Sequence, residues 1–156
     1  MEKMLIKGVA KDNNVSRISI VGLDDTPGIA FKIFNKLAAS KVNVDIILQS
    51  VGRDGTKDIT FTVTENQERD ALKALEDLKD TVSYKSITSD TTISKVSVVG
   101  AGMESHPGVA AKMFEALSDA GINIQMISTS EIKISVLIDK ADAERAVVAI
   151  HDKFID

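Results

Sequence analysis

The sequence predicts an α+β protein built from two similar modules, each a small antiparallel sheet carrying two helices. Three observations lead to this fold class. The first is an internal duplication, since residues 15–22 resemble 93–100 and residues 42–50 resemble 122–130. The second is that both copies follow one order of strand and helix patterns. The third is that the second copy ends one strand short. A repeat of this length corresponds to a whole small domain.

The first strand and helix of module one have clear periodicity. Residues 15–22 alternate, with Ile18 and Ile20 on one face and polar residues on the other, which predicts a half-buried strand. Thr26 and Pro27 predict the helix start, with Thr26 as N-cap and Pro27 at the first helical position. An apolar stripe at helical spacing follows: Ile29, Ala30, Ile33, Phe34, Leu37 and Ala38.

The rest of module one completes a βαββαβ order. Residues 43–51 and 58–64 predict two strands joined by a glycine-containing turn. Residues 67–79 carry apolar side chains at helical spacing and predict the second helix, and residues 82–88 predict the fourth strand. This order is that of the ferredoxin-like fold.

Module two repeats the pattern but lacks its last strand. Its predicted strands and helices are strand 94–101, helix 107–120, strand 123–129, strand 132–138 and helix 141–153. Residues 3–10 form a strand-like run that has no place in module one, so we expect it to complete the sheet of module two. Module one, residues 14–90, would then be inserted in module two, residues 1–13 and 91–156.

Composition excludes several classes of function. The 156 residues are 44% hydrophobic and include no cysteine, so disulfides, thiolate metal sites and cysteine nucleophiles are excluded. The net charge of −4 is spread over interspersed charges, which argues against nucleic-acid binding. The first residues contain no apolar run suited to a signal peptide or membrane span. We therefore expect a cytoplasmic protein with no nucleic-acid or membrane partner.

Motifs for catalysis or cofactors are weak. Gly100 and Gly102 resemble the start of a dinucleotide fingerprint, but the third glycine would fall on Ser105. His106 and His151 are the two histidines. The first stands before Pro107 at a helix entrance and the second on a helix with Asp152, and two separated histidines make a poor metal site without further ligands. The predicted central strands also lack the aromatic signature of RNA-binding ferredoxin-like sheets. We expect no catalytic residue, no metal and no cofactor.

The two Pro-Gly helix starts are more informative. A helix N-terminus presents amide groups and a partial positive charge, which suit a carboxylate. Asp25 precedes the first start, so an amine and a carboxylate of one ligand could be held together there. The corresponding residue of module two is Ser105. An ordinary pair of capped helix starts is the alternative, and the residues alone leave both open.

Six segments carry a resemblance to a known family, namely residues 25–30, 43–49, 58–63, 98–103, 106–109 and 127–136. On these segments the chain resembles the tandem ACT-domain regulatory region of bacterial aspartate kinases, or aspartokinases, over essentially its whole length. In that family the N-terminal strand pairs with the second module. A kinase domain is absent, so the chain resembles either a separate β subunit of an α2β2 enzyme or an excised regulatory region.

The resemblance implies a function. The family phosphorylates the side-chain carboxylate of aspartate with ATP, and its ACT modules bind threonine, lysine or both as feedback inhibitors. It implies a homodimer formed through ACT modules, a catalytic domain or subunit as partner, and threonine between modules. The effector contacts it implies are Asp25, Gly28, Ala30, Val42, Gln49, Ile122, Asn123 and Ile124. Ala110 and Gly121 depart from the Thr and Asn of some members, which affects the expected effector response and any lysine site.

Three alternatives remain. The chain could be the regulatory subunit of another amino-acid pathway enzyme such as acetolactate synthase, which the Ser-Thr-Ser-Glu-Ile-Lys segment at 128–133 disfavours. It could be a free enzyme, although no nucleophile and base pair supports that. It could be an RNA-binding module, which a salt-dependent shift of RNA would reveal.

Overall fold

The chain forms two compact units. One unit is Asn14–Thr91, and the other combines Thr92–Asp156 with Met1–Asn13. The computed structural model describes residues 6–51, 54–100 and 108–155. The predictions made for residues 3–5 and for the second helix start at 105–107, which includes His106, lie outside these residues. No helix within the described ranges has the length and apolar content needed to cross a membrane.

Strand β1, Ile6–Asp12, precedes module one. Module one then contains β2 (Ser16–Asp24), α1 (Ile29–Ala39), β3 (Ile47–Val51), β4 (Thr56–Val63), α2 (Glu68–Asp77) and β5 (Ser86–Asp90). Module two contains β6 (Ile93–Gly100), α3 (Gly108–Asp119), β7 (Met126–Thr129), β8 (Lys133–Asp139) and α4 (Ala143–Ile155). A short 3-10 turn leads into α2 and another leads into α4.

The two sheets share one strand order. Module one has the order β3-β4-β2-β5 and module two has β7-β8-β6-β1, both fully antiparallel. Strand β1 therefore holds in module two the position that β5 holds in module one. This confirms the predicted fold class, two ferredoxin-like modules of which the second is completed by the N-terminal strand.

The core of module one lies between the sheet and its two helices. Most inward positions of β2 and β4 are apolar, and they recur at every second residue because strands alternate with period two. They meet the apolar stripe of α1, of which Ile29, Ile33 and Leu37 are buried as predicted. The rings of Phe34 and Phe61 meet edge to face with centroids 5.8 Å apart. Module two has an equivalent core around Val96, Val98, Met113, Leu117, Val136 and Ile150.

The strands predicted to begin at residues 43 and 123 start later, at Ile47 and Met126. In module one the reason is an irregular pairing with Thr62. The Thr62 carbonyl accepts a hydrogen bond from the Asp45 amide at 2.9 Å, and the Thr62 amide donates to the Ile46 carbonyl at 3.0 Å. Its hydroxyl also accepts from the Ile46 amide at 3.0 Å. One residue of β4 thus serves two neighbours, as at a β-bulge, and regular pairing begins only beyond it.

The fourth strand of module one also differs from the prediction of residues 82–88. The amides of Thr81 and Val82 both donate to the carbonyl of Leu78, at 2.9 and 2.8 Å. Val82 is buried in the core. These residues therefore close the turn after α2, and pairing with β2 begins only near Lys85, whose amide donates to the Val21 carbonyl at 2.8 Å.

Candidate functional site

The connection between β2 and α1 forms the helix entrance, residues 25–30. The Ile29 amide donates to the Thr26 carbonyl at 3.5 Å, and Gly28 adopts φ 92° and ψ −6°. Proline followed by a left-handed glycine is the pattern of a type II turn. The prediction that Thr26 caps the helix and that Pro27 begins it is therefore wrong. Gly28 is the N-cap, and its carbonyl accepts the first helical bond from the Lys32 amide at 3.0 Å.

The front of the helix entrance is open and positively polarised. A Cβ atom added at Gly28 would meet no heavy atom within 4 Å. The first turn of a helix leaves amide groups without partners inside the helix, and its dipole favours an anion there. The first turn of α1 contains no acidic side chain that would neutralise this end. The entrance can therefore receive a carboxylate from outside.

Asp25 stands directly beside this positive end. Its amide donates to the Gly55 carbonyl at 2.9 Å, which fixes the entrance to the turn before β4. Its side chain is 54% exposed, and Oδ1 lies 3.5 Å from Nζ of Lys57 on β4. An exposed carboxylate next to a helix N-terminus can hold an ammonium group while the helix amides hold a carboxylate. The sequence prediction of a zwitterion held at this entrance stays a prediction.

Lys57 is a residue of this site that the sequence prediction missed. Its side chain is only 10% exposed. It lies opposite Leu23 of β2, so it occupies the inward phase of β4 together with Ile59 and Phe61. The signal was available, because a lysine in phase with buried apolar residues is unusual. The predicted strand began one residue too late to include it.

Gln49 approaches the same corner from the edge of the sheet. On β3 it lies opposite Ile59, so its side chain is on the face that carries the helices. Lys57 is two residues from Ile59 on that face, and such diagonal neighbours lie about 7–8 Å apart. Gln49 is exposed. Its side-chain amide is therefore exposed on the same face of the sheet as Lys57.

The other predicted contacts fall into two groups. Ala30 is half-buried against the core of module one, and Val42 is buried in that core, so its side chain is not available to a ligand. Ile122 is buried in module two in the same way, and Ile124 packs beside it, whereas Asn123 is exposed. Asp25, Gly28 and Ala30 thus lie on one connection of module one, and Gln49 lies on strand β3 of the same module. Residues 122–124 belong to the other unit.

Val42 and Ile122 occupy equivalent places after the first helix of each module. The Val42 amide donates to the Leu37 carbonyl at 3.0 Å, and the Ile122 amide donates to the Leu117 carbonyl at 2.9 Å. The residue before each is left-handed, Lys41 with φ 61° and Gly121 with φ 71°. Glycine adopts this conformation without strain, which accounts for Gly121 at this position.

No metal centre is found in the described part of the chain. No group of three or more His, Asp and Glu side chains there could hold a metal ion. The perturbed ionisable groups lie on the outer surface of α3 and α4. There a hydrogen bond from Lys153, and then its charge, lower the pKa of the Glu115 carboxyl. The same hydrogen bond raises the pKa of Lys153. This pair joins two helices and has the geometry of a structural contact.

Comparison with known proteins agrees with the fold. The model of the ACT domain family matches residues 18–78 and 96–154, well over half of the chain. Aspartokinase of Pseudomonas aeruginosa is 48% identical over 154 residues, which are 99% of this chain and 37% of that protein. The chain thus spans about 37% of the length of the curated relatives it matches.

Solved structures include proteins of this length. The ligand-free regulatory subunit of aspartate kinase from Thermus thermophilus is 41% identical with a TM-score of 0.91, covering 96% of this chain and 99% of that one. A chain in the crystal structure of aspartokinase alpha and beta subunits is 45% identical with a TM-score of 0.89, covering 97% and 99%. The chain therefore belongs to the ACT-domain family, as a tandem ACT regulatory region of the aspartate kinases.

Proposed function

We propose that this chain is the part of an aspartate kinase that binds threonine, alone or with lysine, for feedback inhibition. The observation that carries the proposal is the corner where Asp25 lies beside the open N-terminus of α1. It offers a negative side chain for an ammonium group and backbone amides for a carboxylate. An α-amino acid carries both groups on one carbon, so it matches a corner in which the two recognition elements are adjacent.

The ligand would be held by groups from several segments. Its carboxylate would accept from the first-turn amides near Gly28 and Ala30, and its ammonium group would donate to Asp25. Gln49 would hydrogen-bond the hydroxyl of threonine. The family resemblance adds the backbone of Val42 and Ile122 and the neighbouring Asn123 and Ile124, so the site would be completed where ACT modules meet.

Regulation would follow from linkage. A ligand that binds the assembled state more tightly than the separated state shifts the population toward assembly. Strand β3 is an edge strand whose five residues are all exposed, and an open edge is suited to pairing with another chain. We propose a homodimer formed through ACT modules, and a catalytic domain or subunit as the partner that senses it.

Catalysis would belong to that partner. In the proposed enzyme, ATP phosphorylates the side-chain carboxylate of aspartate, and the cytoplasm is the proposed compartment. The chain alone would bind effector without turning over ATP. A regulatory role in another pathway, such as that of acetolactate synthase, is disfavoured because the matched relatives are aspartate kinases.

The test is a thermal-shift screen of the chain with the twenty amino acids, followed by calorimetric titration. A ligand at about 100 times its Kd stabilises a protein by about 2.7 kcal/mol, so the shift should be easily measured. Threonine is expected to give the largest shift. Valine is the matched control, since it has the same shape without the hydroxyl group. Lack of any shift with threonine, or aspartate-dependent ATP consumption by the chain alone, would contradict the proposal.

A further inference from the structure

We infer that Lys57 is a specificity-determining residue, which offsets the negative charge of Asp25 at the helix entrance and so disfavours amino acids with a cationic side chain. The inference rests on the proposed function, because it concerns the same corner. It assigns a role to a residue outside the contact set that the family resemblance implies.

Burial on the inward face of β4 holds the side chain of Lys57 in place. The Lys57 side chain is only 10% exposed, and a charged side chain buried to that extent is costly unless a counter-charge accompanies it. Within the described residues, its ion-pair partner is Asp25, at 3.5 Å. The lysine is held by the inward phase of β4, whereas the carboxylate remains half exposed at the surface. A ligand therefore meets a carboxylate whose negative charge is already offset from below.

In the second module, the sequence positions that correspond to Asp25 and Lys57 carry no charge. Ile20 lies opposite Ile59 in module one, and Val98 lies opposite Ile134 in module two. Lys57 lies two residues before Ile59, and Ile132 lies two residues before Ile134, so these two residues correspond. Ile132 is apolar and 59% exposed, and the residue corresponding to Asp25 is Ser105. Both charges are thus present in one module and both are replaced in the other, as expected if they act as a pair.

Charge counting gives the consequence for ligands. Threonine is a neutral zwitterion, so a change in the net charge of the corner affects it weakly. Lysine carries one further positive charge, which Lys57 repels and an uncompensated Asp25 would attract. A unit charge about 6–8 Å away, in a partly exposed site of intermediate dielectric, changes binding by about tenfold. Removal of Lys57 should therefore strengthen the binding of lysine relative to that of threonine.

The experiment is a set of calorimetric titrations with threonine, lysine and norleucine. Norleucine has the length of lysine without its charge, so it separates charge from size. For Lys57→Met we expect the ratio of the lysine Kd to the threonine Kd to fall about tenfold, with the norleucine ratio within twofold of wild type. Displacement of bound threonine supplies the lysine Kd if direct binding is weak.

Three further proteins complete the design. Lys36→Met is the matched control. Lys36 also pairs with a carboxylate in module one, that of Asp77 at 3.8 Å. However, Lys36 lies in the last turn of α1, at the end of the helix opposite to the entrance. Its ratio should stay at the wild-type value. Lys57→Arg keeps the charge and should keep the ratio. The double variant Asp25→Asn with Lys57→Met is neutral again and should return toward the wild-type ratio, although it binds both ligands weakly.

The outcomes separate the two levels of the proposal. A lysine ratio within twofold of wild type in a folded Lys57→Met protein would overturn the role of Lys57 and leave threonine binding intact. An equal fall for norleucine would overturn it too, because size rather than charge would then be responsible. Failure of the wild-type chain to bind threonine would instead contradict the proposed function, and this inference with it.

Discussion

Val9 of β1 lies directly opposite Val98 of β6 in an antiparallel pair. Val9 also packs against the buried core of module two. The N-terminal strand is thus an edge strand of the second module, although the whole of module one separates the two strands in the sequence. The stability of module two therefore depends on residues at the far end of the chain.

Deletion of residues 1–11 should destabilise module two more than module one. The deletion removes nearly all of β1 and exposes the edge of β6, while the sheet of module one keeps its four strands. Amide hydrogen exchange should show reduced protection in β6 and β8 and unchanged protection in β2 and β4. Equal protection of module two with and without the segment would contradict the pairing.

Two glycines with positive φ should differ in their tolerance of alanine. Gly28→Ala should cost about 1–2 kcal/mol, because only the left-handed backbone is strained. At Gly22 an added Cβ would lie 2.7 Å from Cβ of Lys85, so Gly22→Ala should cost about 1–3 kcal/mol more. Urea denaturation gives both free energies of unfolding. Equal losses would mean that the contact at Gly22 relaxes without cost.

The exposed edge strand β3 should govern self-association. Val51 at its end is 95% exposed, and a charge on an edge strand opposes pairing with another chain. We expect wild type to sediment as a dimer at micromolar concentration and threonine to tighten that dimer. In Val51→Lys the dissociation constant of the dimer should rise about tenfold. Val148→Lys is the control, since Val148 is an exposed valine on α4. A wild-type monomer with and without threonine would contradict the proposed dimer.

The contact between α3 and α4 should depend on pH. Since the hydrogen bond from Lys153 lowers the pKa of Glu115, the contact is present above the ordinary carboxyl value of 4.5 and is lost as pH falls through the lowered pKa. The hydrogen bond also raises the pKa of Lys153, so the contact is lost again as pH rises through the raised pKa of that residue. In Lys153→Met, an NMR titration should find the Glu115 pKa closer to 4.5, whereas Lys73→Met should leave it unchanged.

The sequence predicted the elements whose periodicity reflects one buried face. The alternation around Ile18 and Ile20 and the stripe of α1 identified strand and helix because burial follows period two and period 3.6. The missing last strand of module two led to β1. These features needed no knowledge of contacts between distant segments.

The differences arose where a local pattern fits two structures. Thr26 and Pro27 suit a helix cap, but the same residues with Gly28 suit a type II turn, and the positive φ of Gly28 decides between them. Lys57 was missed because the predicted strand began one residue too late, and its pairing with Asp25 joins segments that are distant in sequence. The late start of β3 depends in the same way on Thr62.

The most direct test of the proposed effector site is calorimetric titration of threonine into wild type, Asp25→Ala and Asp24→Ala. Loss of a charged hydrogen bond worth about 1.5–3 kcal/mol should weaken binding to Asp25→Ala by about 10- to 100-fold. Asp24→Ala is the matched control, because the neighbouring carboxylate belongs to the end of β2, and its affinity should stay within twofold of wild type. Unchanged threonine affinity in a folded Asp25→Ala protein would contradict the account and place the ligand elsewhere.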